Sequence, residues 1–203
     1  MHAHIVLSHP EPQSFNAHLA RVACRSLESQ GWSASVSDLY AMGFDPRERA
    51  EHYVGRRQPQ RFDVQAEQHH ASELGTIPEI VVSEIDKLDR ADLLILQYPM
   101  WWHLPPAMLK GWIDRVFIYG EVYASQKHFE KGRFVGKRAM LSVTVGTSED
   151  TYAFDGRSGD SISCCGRSIS RSLMSAIPSC HHSSPMASRP ASDIRMPLSS
   201  THG

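Results

Sequence analysis

The chain of 203 residues is short of several things that define other protein classes. It has four cysteines, and only Cys24 lies before residue 160, so neither a disulfide framework nor a paired Cys/His metal spacing is present. No metal is expected. No apolar run approaches the 18 residues of a membrane-spanning helix, and the opening Met1-His2-Ala3-His4 lacks the basic flank of a secretory leader. The expectation is a cytoplasmic protein without membrane insertion. Lys plus Arg number 21 against 22 Asp plus Glu, scattered rather than massed, which gives no footprint for nucleic acid. There is no G-x-G-x-x-G and no Walker A sequence, so the common dinucleotide and P-loop sites are not indicated.

What is present falls into two unequal parts. Residues 1–160 hold all 17 aromatic residues. Residues 161–203 hold 13 Ser and three of the four Cys, with no Phe, Trp, Tyr, Val, Lys or Glu. The first part reads as one domain; the second is a Ser-rich segment that cannot supply a core.

Ala3 to Ser8 is a short apolar strand pattern, followed by Phe15, Leu19, Val22, Ala23 and Leu27 at helical spacing, with Ser14 placed as N-cap and Gly31 as the stop. Trp32, Ala34 and Val36 alternate with Ser33, Ser35 and Ser37, which predicts an edge strand buried on its apolar side. Asp45 to Thr76, rich in Arg, Gln and His, reads as an unusually long connection and a candidate functional loop. Ile77, Val81, Ile85 and Leu88 mark the next helix. Ala91 to Gln97 is a continuous apolar run of the kind buried in the middle of a parallel sheet. A helix with Met108, Leu109, Trp112, Ile113, Val116 and Phe117 on its buried side follows, then a strand over Arg138 to Val145. Alternating strands and helices imply a doubly wound α/β domain with a parallel sheet in the order 2-1-3-4-5. Four strands are visible, and the fifth is expected to be missing or replaced by the Ser-rich tail.

In such sheets ligands sit beyond the C-terminal strand ends. Three of these ends carry distinctive residues. His9, Ser14, Phe15 and Asn16 stand at a helix N-terminus suited to a phosphate. Pro99, Met100, Trp101, Trp102 and His103 offer wide flat side chains for a planar ring, and Thr144, Val145, Gly146 and Thr147 lead towards Tyr152.

The strings Ser14-Phe15-Asn16, Gly31-Trp32, Ser37-Asp38-Leu39-Tyr40-Ala41-Met42, Gln97-Tyr98-Pro99 and Pro106-Ala107-Met108-Leu109-Lys110-Gly111-Trp112-Ile113-Asp114-Arg115-Val116-Phe117 resemble the NAD(P)H quinone oxidoreductase family of flavodoxin-like enzymes. That resemblance covers residues 1–160. It implies a homodimer with a flavin, FAD or FMN, in sites at the interface, NAD(P)H as hydride donor and a quinone or similar small aromatic acceptor, reacting in turn. It puts His9, Phe15 and Asn16 at the phosphates, Met100 to His103 along the ring, and Thr144 to Thr147 with Tyr152 near the polar edge. Tyr152 and the amides near Gly146 would then stabilise charge on the reduced ring. Two positions depart from the family: Ser158 stands where animal members carry a His, and Gly146-Thr147 where the loop usually reads Gly-Gly. The alternatives are a flavodoxin-like regulatory subunit of a potassium efflux system and an inactive product of the enzyme gene.

Family members continue after Gly-Asp with a sequence like Ile-Asp-Leu-Leu-Leu-Trp-Pro, which is absent here. Codons read from the third base of Ser161 onward give Leu at the Cys164/Cys165 junction and Gly at Met186/Ala187, and they permit Asp-Leu-Leu-Leu-Trp-Pro. Residues 161–203 are therefore read as an out-of-frame translation.

Overall fold

A computed structural model of the chain describes residues 1–126, 131–147, 151 and 179–181. Strand β1 (His2–Leu7) leads into helix α1 (Phe15–Ser29) and strand β2 (Ser33–Asp38). Helices α2 (Val64–Leu74) and α3 (Glu79–Arg90) precede β3 (Leu93–Pro99), and α4 (Ala107–Val116) precedes β4 (Arg138–Thr144). A three-residue β5 (Ser179–His181) completes a parallel sheet in the order β2-β1-β3-β4-β5.

The apolar run of β3 takes the central position because both its faces can be buried. Ile95 lies level with Ile5 of β1 and Met140 of β4. On one face Val6, Leu94, Leu96 and Tyr98 pack with Val81, Ile85 and Leu88 of α3 and with Leu109, Trp112, Ile113 and Val116 of α4. On the other, Ile5, Leu7 and Ile95 meet Ala17 and Ala20 of α1. The small side chains let that helix lie close to the strands. Helix α1 starts where Ser14 Oγ accepts from the Ala17 N–H and stops before Gly31, whose φ of +80° is left-handed.

Two expectations need correction. The connection from Asp45 to Thr76 is not a loop throughout, since it contains α2. Hydrophobic periodicity misses this helix because its buried positions include Glu67 and Gln68. Glu67 accepts the backbone N–H groups of Arg57 (2.8 Å) and Gln58 (3.1 Å), while Gln68 accepts from the Tyr119 N–H at 3.2 Å. Polar side chains there close backbone hydrogen bonds that apolar ones could not.

The second correction concerns β2. It is the edge strand expected, but Val36 is exposed and Ser37 is buried. The serine side faces a buried polar cluster. Ser35 Oγ bonds His2 and His4, each at 2.9 Å, and Ser37 Oγ donates to Glu84 Oε1 at 2.9 Å. Trp112 Nε1 donates to Glu84 Oε2 at 2.8 Å and Lys87 Nζ pairs with Oε1, so this carboxylate ties β2, α3 and α4 together. The fifth place in the expected order is taken by a short strand from the Ser-rich segment. Ser179 to His181 pair with Arg138 to Met140, because ladder bonds draw only on backbone groups. The remaining expectations for residues 152–178 and 182–203 lie outside the described residues.

Gly111 is needed for packing rather than for its dihedral freedom: a Cβ there would collide with the carbonyl oxygen and side chain of Pro46. Arg115, also on α4, donates to the Asp45 carbonyl and stacks over Phe44, so the segment after β2 is held against the same helix. Gly111→Ala is expected to cost about 2–3 kcal/mol of stability through overpacking, read as a lower urea midpoint.

Burial is the main cause that lowers the His4 pKa from 6.5 to about 4, opposed by Glu84 and reinforced by Lys87, His2 and Arg90. Since the unfolded imidazole binds its proton at higher pH than the folded one, stability is full above about 6.5 and falls as pH drops towards 4. That contribution is on the order of 3 kcal/mol. His4→Gln should flatten this part of the stability profile between pH 6.5 and 4, as measured by denaturant unfolding at each pH.

Candidate active site at the C-terminal sheet edge

The levelled ends of β1, β3 and β4 bring the candidate residues to one edge. Backbone bonds set the level: the Ser8 N–H donates to the Gln97 carbonyl at 3.0 Å and the Met100 N–H to the Thr144 carbonyl at 2.8 Å. A side-chain chain reinforces it. Gln97 Nε2 donates to Asn16 Oδ1 at 2.8 Å, and Asn16 Nδ2 donates to Thr144 Oγ1 at 2.9 Å. All three residues are buried, and they come from β3, the start of α1 and the end of β4.

At the start of α1 the side chain of Ser14 is used by the cap, whereas the N–H groups of Phe15 and Asn16 point out of the first turn with no partner inside the helix. They provide an anion site with the positive end of the helix dipole behind it. His9 Nδ1 accepts from the Glu11 N–H at 3.0 Å, which leaves Nε2 to carry the proton of the neutral ring and act as a donor. Ser8 Oγ, just after β1, is buried and has no hydrogen-bond partner among the described residues.

After β3 the chain turns back on itself. Trp101 and Leu104 exchange both backbone hydrogen bonds at 3.0 Å, and the two residues between them, Trp102 and His103, have φ of +52° and +62°. Two successive positive φ values define a type I′ turn, which ordinarily takes Asn-Gly. Here two large side chains hold it, at a backbone cost of about 1–2 kcal/mol each. The turn sets out aromatic surface: Trp102 is 94% exposed, while Trp101 and Phe15 are each 43% exposed. Trp101 meets His9 edge-on with ring centres 6.4 Å apart.

After β4, Val145 is buried and can offer only backbone, and Thr147 Oγ1 lies 3.0 Å from Thr151 Oγ1. A Cβ added to Gly146 would meet nothing within 4 Å. Among the described residues neither packing nor a positive φ asks for glycine there, so open space beside this backbone is what the residue provides. Pro99 is buried at the end of β3 and acts through the fold. Tyr152 and Ser158 lie outside the described residues. Sequence reading placed His9, Phe15, Asn16, Trp101 to His103 and Thr144 to Thr147 at one edge, and the structure brings them together. It did not single out Ser8, or Gln97 as the partner of Asn16. A lone polar residue ending an apolar strand was the available signal for Gln97.

A family model described as a flavodoxin-like fold matches residues 1–165. The NAD(P)H dehydrogenase (quinone) 1 of Cavia porcellus is 41% identical over 157 residues, which cover 77% of this chain and 57% of that protein. The ribosyldihydronicotinamide dehydrogenase (quinone) of Mus musculus is 40% identical over 157 residues, 77% of this chain and 68% of that protein. This chain belongs to the flavodoxin-like quinone dehydrogenase family. A solved structure, the NAD(P)H:quinone oxidoreductase from Methanothermobacter marburgensis, superposes with a TM-score of 0.70 at 26% identity, covering 94% of this chain and 86% of its own.

The edge described above carries helix N–H groups without helical partners, open backbone beside Gly146 and exposed aromatic rings, as seen among the described residues. Its I′ turn yields a direct test. Trp102→Asn places a residue that tolerates the left-handed region where an almost uncovered Trp stands, so stability should rise by about 1 kcal/mol, seen as a higher urea midpoint.

Proposed function

We propose that this chain is built as a flavin-dependent NAD(P)H:quinone oxidoreductase, with NAD(P)H and a quinone reacting in turn at the C-terminal sheet edge. The observation that carries the reading is the coincidence, at one edge, of free helix N–H groups, an uncovered aromatic ledge and a glycine with open space beside it. These fit a flavin part by part. The N–H groups of Phe15 and Asn16 take the phosphate, with the His9 Nε2–H as a further donor. Trp101, Trp102 and Phe15 would offer the flat surface against the planar ring. The Thr144 hydroxyl and the backbone beside Gly146 serve the polar end of the ring, where negative charge gathers on reduction.

A bound flavin supplies the hydride chemistry, accepting two electrons from a nicotinamide and giving them to a quinone. The chain's own part is to hold, orient and polarise. Donor and acceptor would react in turn at the same aromatic ledge of Trp101, Trp102 and Phe15. Tyr152 is assigned the role of hydroxyl donor beside the ring, and Ser158 in place of a His shortens any proton relay there. FAD is preferred to FMN on family likeness. The exposed Trp102 and Leu104 surface suits a homodimer in which a second copy covers the ring.

Residues 161–203 are assigned to an out-of-frame reading, so the final strand and helix of the relatives are not encoded in their usual form. Visible spectroscopy tests the function directly. Purified protein incubated with FAD or FMN and then desalted should keep a flavin spectrum that bleaches with NADH or NADPH and returns on adding a benzoquinone. A colourless protein, or one that holds flavin without bleaching, would contradict the reading.

A further inference from the structure

The buried side chains Gln97, Asn16 and Thr144 do more than join three elements: their hydrogen bonds have a direction. Gln97 donates to the Asn16 carbonyl oxygen, which leaves the Asn16 amide nitrogen to donate to Thr144 Oγ1. A hydroxyl has one proton, and an oxygen already accepting from Asn16 must direct that proton elsewhere. Thr144 is buried and is the last residue of β4, so it stands at the strand end that borders the site. Its own carbonyl is already taken by the Met100 N–H.

We propose that Gln97 and Asn16 are positioning residues that fix the polarity of the Thr144 hydroxyl, holding its proton outward as a donor to an acceptor atom at the polar end of a bound flavin. This rests on the function proposed above. Asn16 therefore serves the ligand in two ways: its backbone N–H lies at the helix terminus and its side chain orients Thr144. Asn at this position, rather than any residue that merely fills the space, follows from the need to accept on one side and donate on the other. The near-isosteric Asp accepts on both sides. It would turn the Thr144 proton inward and present the ligand with an oxygen lone pair.

The test is a titration of the full chain with FMN and FAD, followed by quenching of flavin fluorescence, from pH 5 to 8. Thr144→Val and Asn16→Asp should each weaken binding at pH 8 by about fivefold to tenfold, the worth of one hydrogen bond. Thr144→Ser should keep the affinity. For Asn16→Asp the affinity should recover as pH falls and the new carboxyl gains a proton with which to donate to Thr144. That recovery is the signature a packing role would not produce, and a uniform loss at all pH values would overturn the relay. Equal flavin binding by Thr144→Val and the unsubstituted chain would overturn it while leaving the proposed function standing. No binding by the unsubstituted chain would overturn the function, and the relay is then read without flavin by exchange of side-chain amide protons. Those of Asn16 should exchange about tenfold faster in Thr144→Val than in the unsubstituted protein, and unchanged exchange would overturn the relay.

Discussion

Everything at the functional edge depends on three parallel strands ending at the same level. Backbone ladders fix register along β1, β3 and β4, but they end where the strands end, and the chain then departs in three directions. The Asn16 amide lies across that boundary. With Gln97 on one side and Thr144 on the other, it locks the start of α1 to the last residues of β3 and β4. Inside a protein, where water does not compete, such a fully satisfied amide chain specifies geometry more sharply than an apolar contact of equal area. The free N–H groups of α1, the Trp101–Leu104 turn and the Gly146 backbone take their relative positions from it.

A second polar centre supports the opposite half of the sheet. Glu84 is fully buried yet meets Ser37, Lys87 and Trp112, so each of its oxygens has a donor. Removing one partner would leave a buried carboxylate short of a hydrogen bond, which costs more than the bond itself contributes. His4 lies near this group with Nε2 buried and without a partner, and burial keeps its ring neutral at ordinary pH. The two faces of the sheet are therefore held differently. Apolar packing against α1 secures one, while apolar packing combined with a polar network secures the other.

The strands and helices that bury apolar runs were legible from sequence. Ala91 to Gln97 had to be central, and Val81, Ile85 and Leu88 had to face it. Elements held by polar burial were not legible. Helix α2 buries Glu67 and Gln68 against backbone groups, and β2 turns its serines inward towards His2, His4 and Glu84. Hydrophobic patterning reads both the wrong way, because there a satisfied hydrogen bond replaces transfer from water as the reason for burial. The site shows the same division. Its exposed aromatics and helix terminus announced themselves, whereas Ser8 and the role of Gln97 required coordinates. The left-handed Trp102 and His103 also went unforeseen, since a I′ turn is normally signalled by Asn and Gly.

Strain held in that turn and glycine beside open space are both features that the fold itself does not require. They gain a reason if a flat ligand lies against them. Amide chemical-shift mapping of the full chain during titration with FMN tests this most directly. Shifts concentrated at Phe15, Asn16, Met100 to His103 and Thr144 to Thr147 are the expected result. Shifts that leave these residues unmoved, or that gather at the groove between α1 and β2 around Cys24 and Val36, would contradict the account.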